Sequence, residues 1–228
     1  MNNTKKTKKV GCVIIMHPGQ NNYGSSLQGF ATIAMIGKLG YDYEIIKYKK
    51  QRKLIELVKI VPDLIRSGAI DAIIYRLKKK KDFLLHKKYA KTRAIRRKAV
   101  DAFKDKYFDS VSRTYTGYKA LQKGSLNYST IMVGSDQVWG PLSLFSKFYN
   151  LLFVNESIPK FSYASSFGVS DIIPCQRDSV AKYLNRIDYV GVRELQGKKI
   201  VESISNKKAK VVLDPTFLLN KVDWSKYI

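Results

Sequence analysis

The chain has 228 residues, 45% of them hydrophobic, and a formal net charge of +24. That length and apolar content exclude a disordered chain and fit one sizeable core, with little room for two ordinary domains. Two cysteines and two histidines exclude a disulfide framework, and no metal-ligand spacing is present. Cys12 lies in an apolar run and Cys175 follows Pro174 at an expected helix start, so both read as small structural thiols in a reducing, cytosolic setting.

Lys5, Lys6, Lys8 and Lys9 precede an apolar run over 10–16. The run is at the short edge of a signal-peptide core of ~7–15 residues and leads into His17-Pro18-Gly19-Gln20 without a small-residue cleavage site. The pattern therefore predicts a buried strand over 9–15. A polar loop runs to Gly24, and Ser25 or Ser26 is the expected cap of a helix carrying Leu27, Phe30, Ala31, Ala34 and Met35 on one face. Gly40 is its expected stop, and a strand over 41–48 completes a βαβ unit.

Residues 51–109 break the alternation and predict a basic helical insertion. Leu54, Leu57, Val58, Val61, Leu64 and Ile65 form one stripe, Ile70, Ile73, Ile74 and Leu77 a second, and a third helix is expected over 83–103. Further strands are expected over 128–133, 151–154, 160–165, 188–192 and 210–213. Helices are expected over 174–185, with Pro174 in its first turn, and over 194–203. No run approaches the ~18 apolar residues that span a bilayer. The expected fold is α/β: a doubly wound, mainly parallel, Rossmann-like sheet of six or seven strands with the basic insertion, binding ligands at the carboxyl ends of its strands.

The charge is uneven. Residues 1–130 hold 29 Lys/Arg against 9 Asp/Glu, and residues 47–98 alone hold 19 against 4. Such a block attracts polyanions: nucleic acid, anionic lipid, or an acidic saccharide and its phosphate-linked precursors. No DNA- or RNA-binding motif accompanies it, so nucleic acid has only the charge in its favour. A general surplus of lysine would give the same excess.

Polar motifs fall at the expected strand ends. Asn21-Asn22-Tyr23-Gly24-Ser25-Ser26-Leu27-Gln28 combines a sharp turn with a helix start whose free N–H groups suit a phosphate or carboxylate, although neither a G-x-G-x-x-G fingerprint nor a P-loop is present. An ordinary capped turn is the plainer alternative. Gly134-Ser135-Asp136-Gln137-Val138-Trp139 presents Asp136 as a general base or sugar-hydroxyl acceptor, with Trp139 suited to a sugar ring or to core packing. Tyr163-Ala164-Ser165-Ser166-Phe167-Gly168 is a second small-residue strand end. In Val192-Arg193-Glu194, Arg193 can hold a carboxylate or phosphate, or pair with Glu194 at a helix start. His17 is placed to reach the cleft, and His86 lies among the basic helices. No Ser-His-Asp or Cys-His arrangement assembles from them.

With Leu213-Asp214-Pro215-Thr216-Phe217-Leu218-Leu219 and Trp224, these motifs resemble the polysaccharide pyruvyl transferase family in order and spacing over nearly the whole chain. The resemblance implies one of two facing Rossmann-like halves, as in GT-B-type glycosyltransferases. It also implies transfer of the enolpyruvyl group of phosphoenolpyruvate to sugar hydroxyls of a bacterial surface polysaccharide or its precursor, with no cofactor. It points to Asp136 for the acceptor hydroxyl and Arg193 for an anionic group of the donor. His17, Asn22, Tyr23, Gly24, Ser25, Gln28, Gly134, Ser135, Gln137, Trp139, Ser165, Phe167, Gly168 and Glu194 are expected to line the site.

In such a family the Leu213-Asp214-Pro215 motif is expected near the middle. Residues 1–215 are thus expected to form the N-terminal domain and 216–228 the start of a crossover. A C-terminal half, in cis or in trans, would be needed for turnover. The competing expectation is a non-enzymatic partner or remnant module that binds anionic membrane or a polyanionic saccharide. The expected location is cytoplasmic, with peripheral contact at the inner face of the membrane.

Overall fold

The computed structural model describes residues 9–16, 22–51, 89–141 and 147–227, together with Ile74, Leu77 and Lys78. Seven strands form one sheet: β1 (Lys9–Val13), β2 (Asp42–Lys49), β3 (Ser112–Thr116), β4 (Thr130–Val133), β5 (Lys160–Ser165), β6 (Tyr189–Val192) and β7 (Ala209–Val211). Their order is β3-β2-β1-β4-β5-β6-β7, and every pairing is parallel. The doubly wound α/β expectation holds, and the order reverses between β1 and β4, the point where such sheets open a crevice at their carboxyl ends.

Alternation along the strands builds two cores, one on each face of the sheet. Cys12, Ile14, Ile45 and Met132 face one side, where they meet Phe30, Ile33 and Ile36. Val13, Ile15, Ile46, Ile131 and Val133 face the other, with Leu121, Val180, Tyr183, Ile200 and Val201. Helix α1 (Tyr23–Lys38) and helix α2 (Ala90–Tyr107) cover the first face. Phe30 makes edge contacts with Phe103 and Tyr107 of α2, at ring-centroid separations of 5.9 and 4.9 Å. Helices α3 (Tyr118–Gly124), α4 (Pro174–Leu184) and α5 (Leu195–Ile204) serve the second face. A short α6 (Lys221–Ser225) carries Trp224 onto the first core.

The ends of α1 show how sequence fixes its position. Asn22, rather than Ser25 or Ser26, is the N-cap, and its side chain accepts from Gly24 N at 3.0 Å. Capping by Asn22 leaves both serines in the first turn of the helix. At the other end Gly40 sits at φ +80°, with Gly40 N donating to Gly37 O and Tyr41 N to Ile36 O. That paired bonding closes the helix at the expected glycine.

Three expectations need correction. Residues 151–154 are not a strand: Leu151 N donates to Phe148 O and Val154 N to Leu151 O, and Leu151 has φ +53°. Leu151, Phe153 and Val154 fill the core from successive turns, which a short apolar run does as readily as a strand. Strand β3 was not expected, because as an edge strand it buries only Tyr115 and reads as polar. The third insertion helix runs to Tyr107 and packs on α1, so it is the ordinary crossover helix between β2 and β3. The stripes expected over 54–77 lie outside the described residues, apart from exposed Ile74 and Leu77.

Candidate active site

The motifs singled out in the sequence meet at the carboxyl edge of the sheet, around the β1/β4 crevice. Ser25, in the first turn of α1, donates from Oγ to Asp136 Oδ2 at 2.6 Å. Gln28, one turn on and buried, accepts from Ser135 N at 2.9 Å and donates to Ser25 O at 2.9 Å. These bonds tie α1 to the loop after β4. Asp136 Oδ1 accepts from Gln137 N at 2.8 Å, and the residue is half-buried with φ +78°. Holding an aspartate in the left-handed region costs about 1–3 kcal/mol, which the surrounding bonds must supply.

The next loop fastens this one. Ser166 N donates to Asp136 O at 3.0 Å, Trp139 N donates to Ser166 O at 3.1 Å, and Asp136 bridges Ser165 in parallel fashion. Gly134 is required by close approach: at φ +147° a Cβ there would stand 2.0 Å from the Tyr163 carbonyl oxygen. Gln137 is exposed and its amide lies against Gly168.

Arg193, after β6, reaches across to Asp214 after β7. Its Nη1 donates to Asp214 Oδ2 at 3.5 Å, and its Nε donates to Glu194 Oε1 at 3.1 Å. Asp214 also accepts from Ser135 Oγ at 3.3 Å and from Thr216 N and Oγ1 at 3.0 and 2.9 Å. It therefore joins the β4, β6 and β7 ends. Burial, with the Asp214 carboxylate a lesser cause, raises the Tyr163 phenol above its ordinary range.

Asn22, Tyr23, Gly24, Ser25, Gln28, Gly134, Ser135, Asp136, Gln137, Ser165, Gly168, Arg193 and Glu194 all lie on this edge, and His17 lies outside the described residues. Trp139 and Phe167 do not offer their rings to the cleft. Both are almost wholly buried, 5.2 Å apart, and Trp139 Nε1 donates to Tyr149 O at 3.2 Å. Of the two roles open to Trp139, the structure shows core packing: the indole fills the space beneath the loop it belongs to. Asp214 was absent from the expected site. Its place after β7, level with Asp136 and Arg193, was the available signal.

A family model described as polysaccharide pyruvyl transferase matches residues 22–228. The chain belongs to the polysaccharide pyruvyl transferase family. The match spans every loop of the carboxyl-edge network, from Asn22 to Asp214. No curated protein and no solved structure matches the chain. Among the described residues no His, Cys, Asp or Glu cluster could hold a metal ion, and no helix is long and apolar enough to cross a membrane.

Proposed function

We propose that the protein transfers the pyruvyl group of phosphoenolpyruvate to hydroxyls of a bacterial surface saccharide or its precursor, with this domain supplying the acceptor side of the cleft. The observation that carries the reading is the Ser25–Asp136 bond at the β1/β4 crevice, which fixes a half-exposed carboxylate where a doubly wound sheet takes its ligands. Asp136 accepts the proton of the attacking hydroxyl, whose oxygen bonds to C2 of the donor. A second hydroxyl displaces phosphate to complete the ketal. Of the two hydroxyl protons, one ends on C3 of the donor and the other on the released phosphate.

Arg193 holds an anionic group of the donor. Its guanidinium has five N–H donors and makes two side-chain bonds among the described residues, which leaves Nη2 for a carboxylate or phosphate. Ser25 and Gln28 act as positioning residues, holding Asp136 and its loop. The opposing wall belongs to a second Rossmann-like half, in cis or in trans. Supporting this, Leu195, Leu213 and Phe217 project from the carboxyl side of the sheet with about 70% of their surfaces exposed.

Phosphate release from phosphoenolpyruvate, with a crude saccharide acceptor pool and the second half supplied, tests the reading. Asp136→Asn should lower the rate by about 10²–10⁴-fold, the usual contribution of a positioned general base. Acceptor-independent release, or none by the unsubstituted protein, would refute it.

A further inference from the structure

Asp214 takes no part in the proposed chemistry, yet it joins the β4, β6 and β7 ends. It is the N-cap of a short 3-10 helix (Pro215–Leu218), where its Oδ1 accepts from Thr216 N at 3.0 Å and from Thr216 Oγ1 at 2.9 Å. Capping is complete with that one oxygen. Oδ2 meets the β4 and β6 ends, accepting from Arg193 Nη1 at 3.5 Å and from Ser135 Oγ at 3.3 Å. Ser135 has a single hydroxyl proton and a nearer acceptor, Ala164 O at 3.0 Å, so the guanidinium is the constant partner of Oδ2.

Arg193 needs that partner. Its backbone is fixed, with Arg193 N donating to Ser165 O at 3.2 Å, but its side chain is 30% exposed. Its other ion pair is with the next residue, Glu194, which accepts from Nε at 3.1 Å and is itself 41% exposed. A bond at Nε alone leaves the guanidinium free to swing. A second bond at Nη1 fixes its plane, and with it the direction of Nη2. The Asp214 end of that second bond is anchored. Val212 N donates to Val192 O at 2.9 Å just before it, Pro215 is buried just after it, and both Thr216 donors hold Oδ1. Asp214 is thus the rigid member of the pair and Arg193 the long, flexible one.

We propose that Asp214 is a positioning residue for donor binding: it sets the orientation of the Arg193 guanidinium toward the carboxylate or phosphate of phosphoenolpyruvate. This rests on the donor role given to Arg193 above. Asp214 does not bind the donor itself, since a carboxylate repels an anion. Its effect passes through Arg193.

Asp214→Asn isolates this role. The two Thr216 donors keep the amide oxygen in the place of Oδ1, so the cap survives while an amide NH2 faces Arg193 Nη1. With the second half supplied, calorimetry without acceptor should show phosphoenolpyruvate binding weakened about tenfold, the value of a charge-assisted hydrogen bond, at a retained thermal midpoint. In the transfer assay the variant should raise the KM for phosphoenolpyruvate and leave kcat within about threefold. Arg193→Ala is the second arm. On its background Asp214→Asn should change the affinity by less than about twofold, because the two side chains act as one unit. Unchanged or tighter binding in the single variant, a loss that persists undiminished without Arg193, or a fall in kcat at unchanged KM would overturn the proposal and leave the Arg193 clamp in place. Donor binding that survives Arg193→Ala would instead refute the clamp, and the positioning role with it.

Discussion

The two edges of the sheet both gather polar side chains, and they use them differently. At the amino edge, Glu44 accepts from Lys9 Nζ at 3.3 Å through one oxygen and from the Tyr128 hydroxyl at 2.6 Å through the other. Tyr128 meets the Tyr115 hydroxyl at 3.1 Å, and Asn127 donates to that hydroxyl. Lys160, almost wholly buried, donates to the carbonyls of Ile158, Asn155 and Glu156, and its backbone N–H donates to Asp188. Each group there is consumed by a neighbour. At the carboxyl edge the network is fastened just as tightly below, through Gln28, Ser135 and Asp214, but its upper members Asp136 and Arg193 keep capacity to spare. The difference teaches that buried polarity alone does not mark a site. A fixed group with unused donors or lone pairs does.

Substitutions on the two edges should therefore separate activity from stability. The largest effect short of Asp136 is expected at Arg193. Arg193→Ala should raise the KM for phosphoenolpyruvate about tenfold to a hundredfold and move the thermal midpoint little, since the Asp214 pair is half-exposed. At the other edge Tyr128→Phe should cost about 1–3 kcal/mol in denaturant unfolding, because Glu44 and Tyr115 lose a buried partner, with unchanged turnover per folded molecule. Comparable loss of activity from Tyr128→Phe would break the contrast.

Alkaline titration sharpens it. Burial raises the phenols of Tyr128 and Tyr183 well above their ordinary range and that of Tyr149 to about 12. A raised folded-state pKa means that the folded chain holds protons which the unfolded chain gives up near pH 10. Their contribution to stability is thus complete below about pH 10 and falls away as pH rises above it. Phenolate absorbance should show Tyr128 and Tyr183 ionising only with unfolding. The smallest effect is chemical: burial pushes the Cys12 thiol up to about 12, whereas Cys175 is exposed. One thiol per chain should alkylate rapidly at pH 8, the second only in denaturant.

Much of this was legible in the sequence because the responsible forces are local. The apolar runs of β1 and β4 and the Gly40 stop depend on period and backbone sterics, and the motifs at strand ends follow once the sheet is parallel. What escaped depends on neighbours. Strand β3 is polar because it lies at an edge, and the 151–154 run is apolar because its turns plug a core. Trp139 could not be assigned between sugar and core until Phe167 and Tyr183 were known to surround it. Asp214 counts only because β7 closes beside β6 and brings it to Arg193 and Ser135. Asn22 outcompeted Ser25 and Ser26 as the cap, which released Ser25 to bind Asp136.

The central claim is that Asp136, held by Ser25 at the β1/β4 crevice, accepts the acceptor proton. Its most direct test compares phosphate release from phosphoenolpyruvate by the unsubstituted protein and by Asp136→Asn. Both carry the second half in cis or in trans and receive the same acceptor pool. The account predicts acceptor-dependent release that falls by at least about 10²-fold in the variant while its thermal midpoint is retained. An Asp136→Asn protein that releases phosphate at the unsubstituted rate would contradict it.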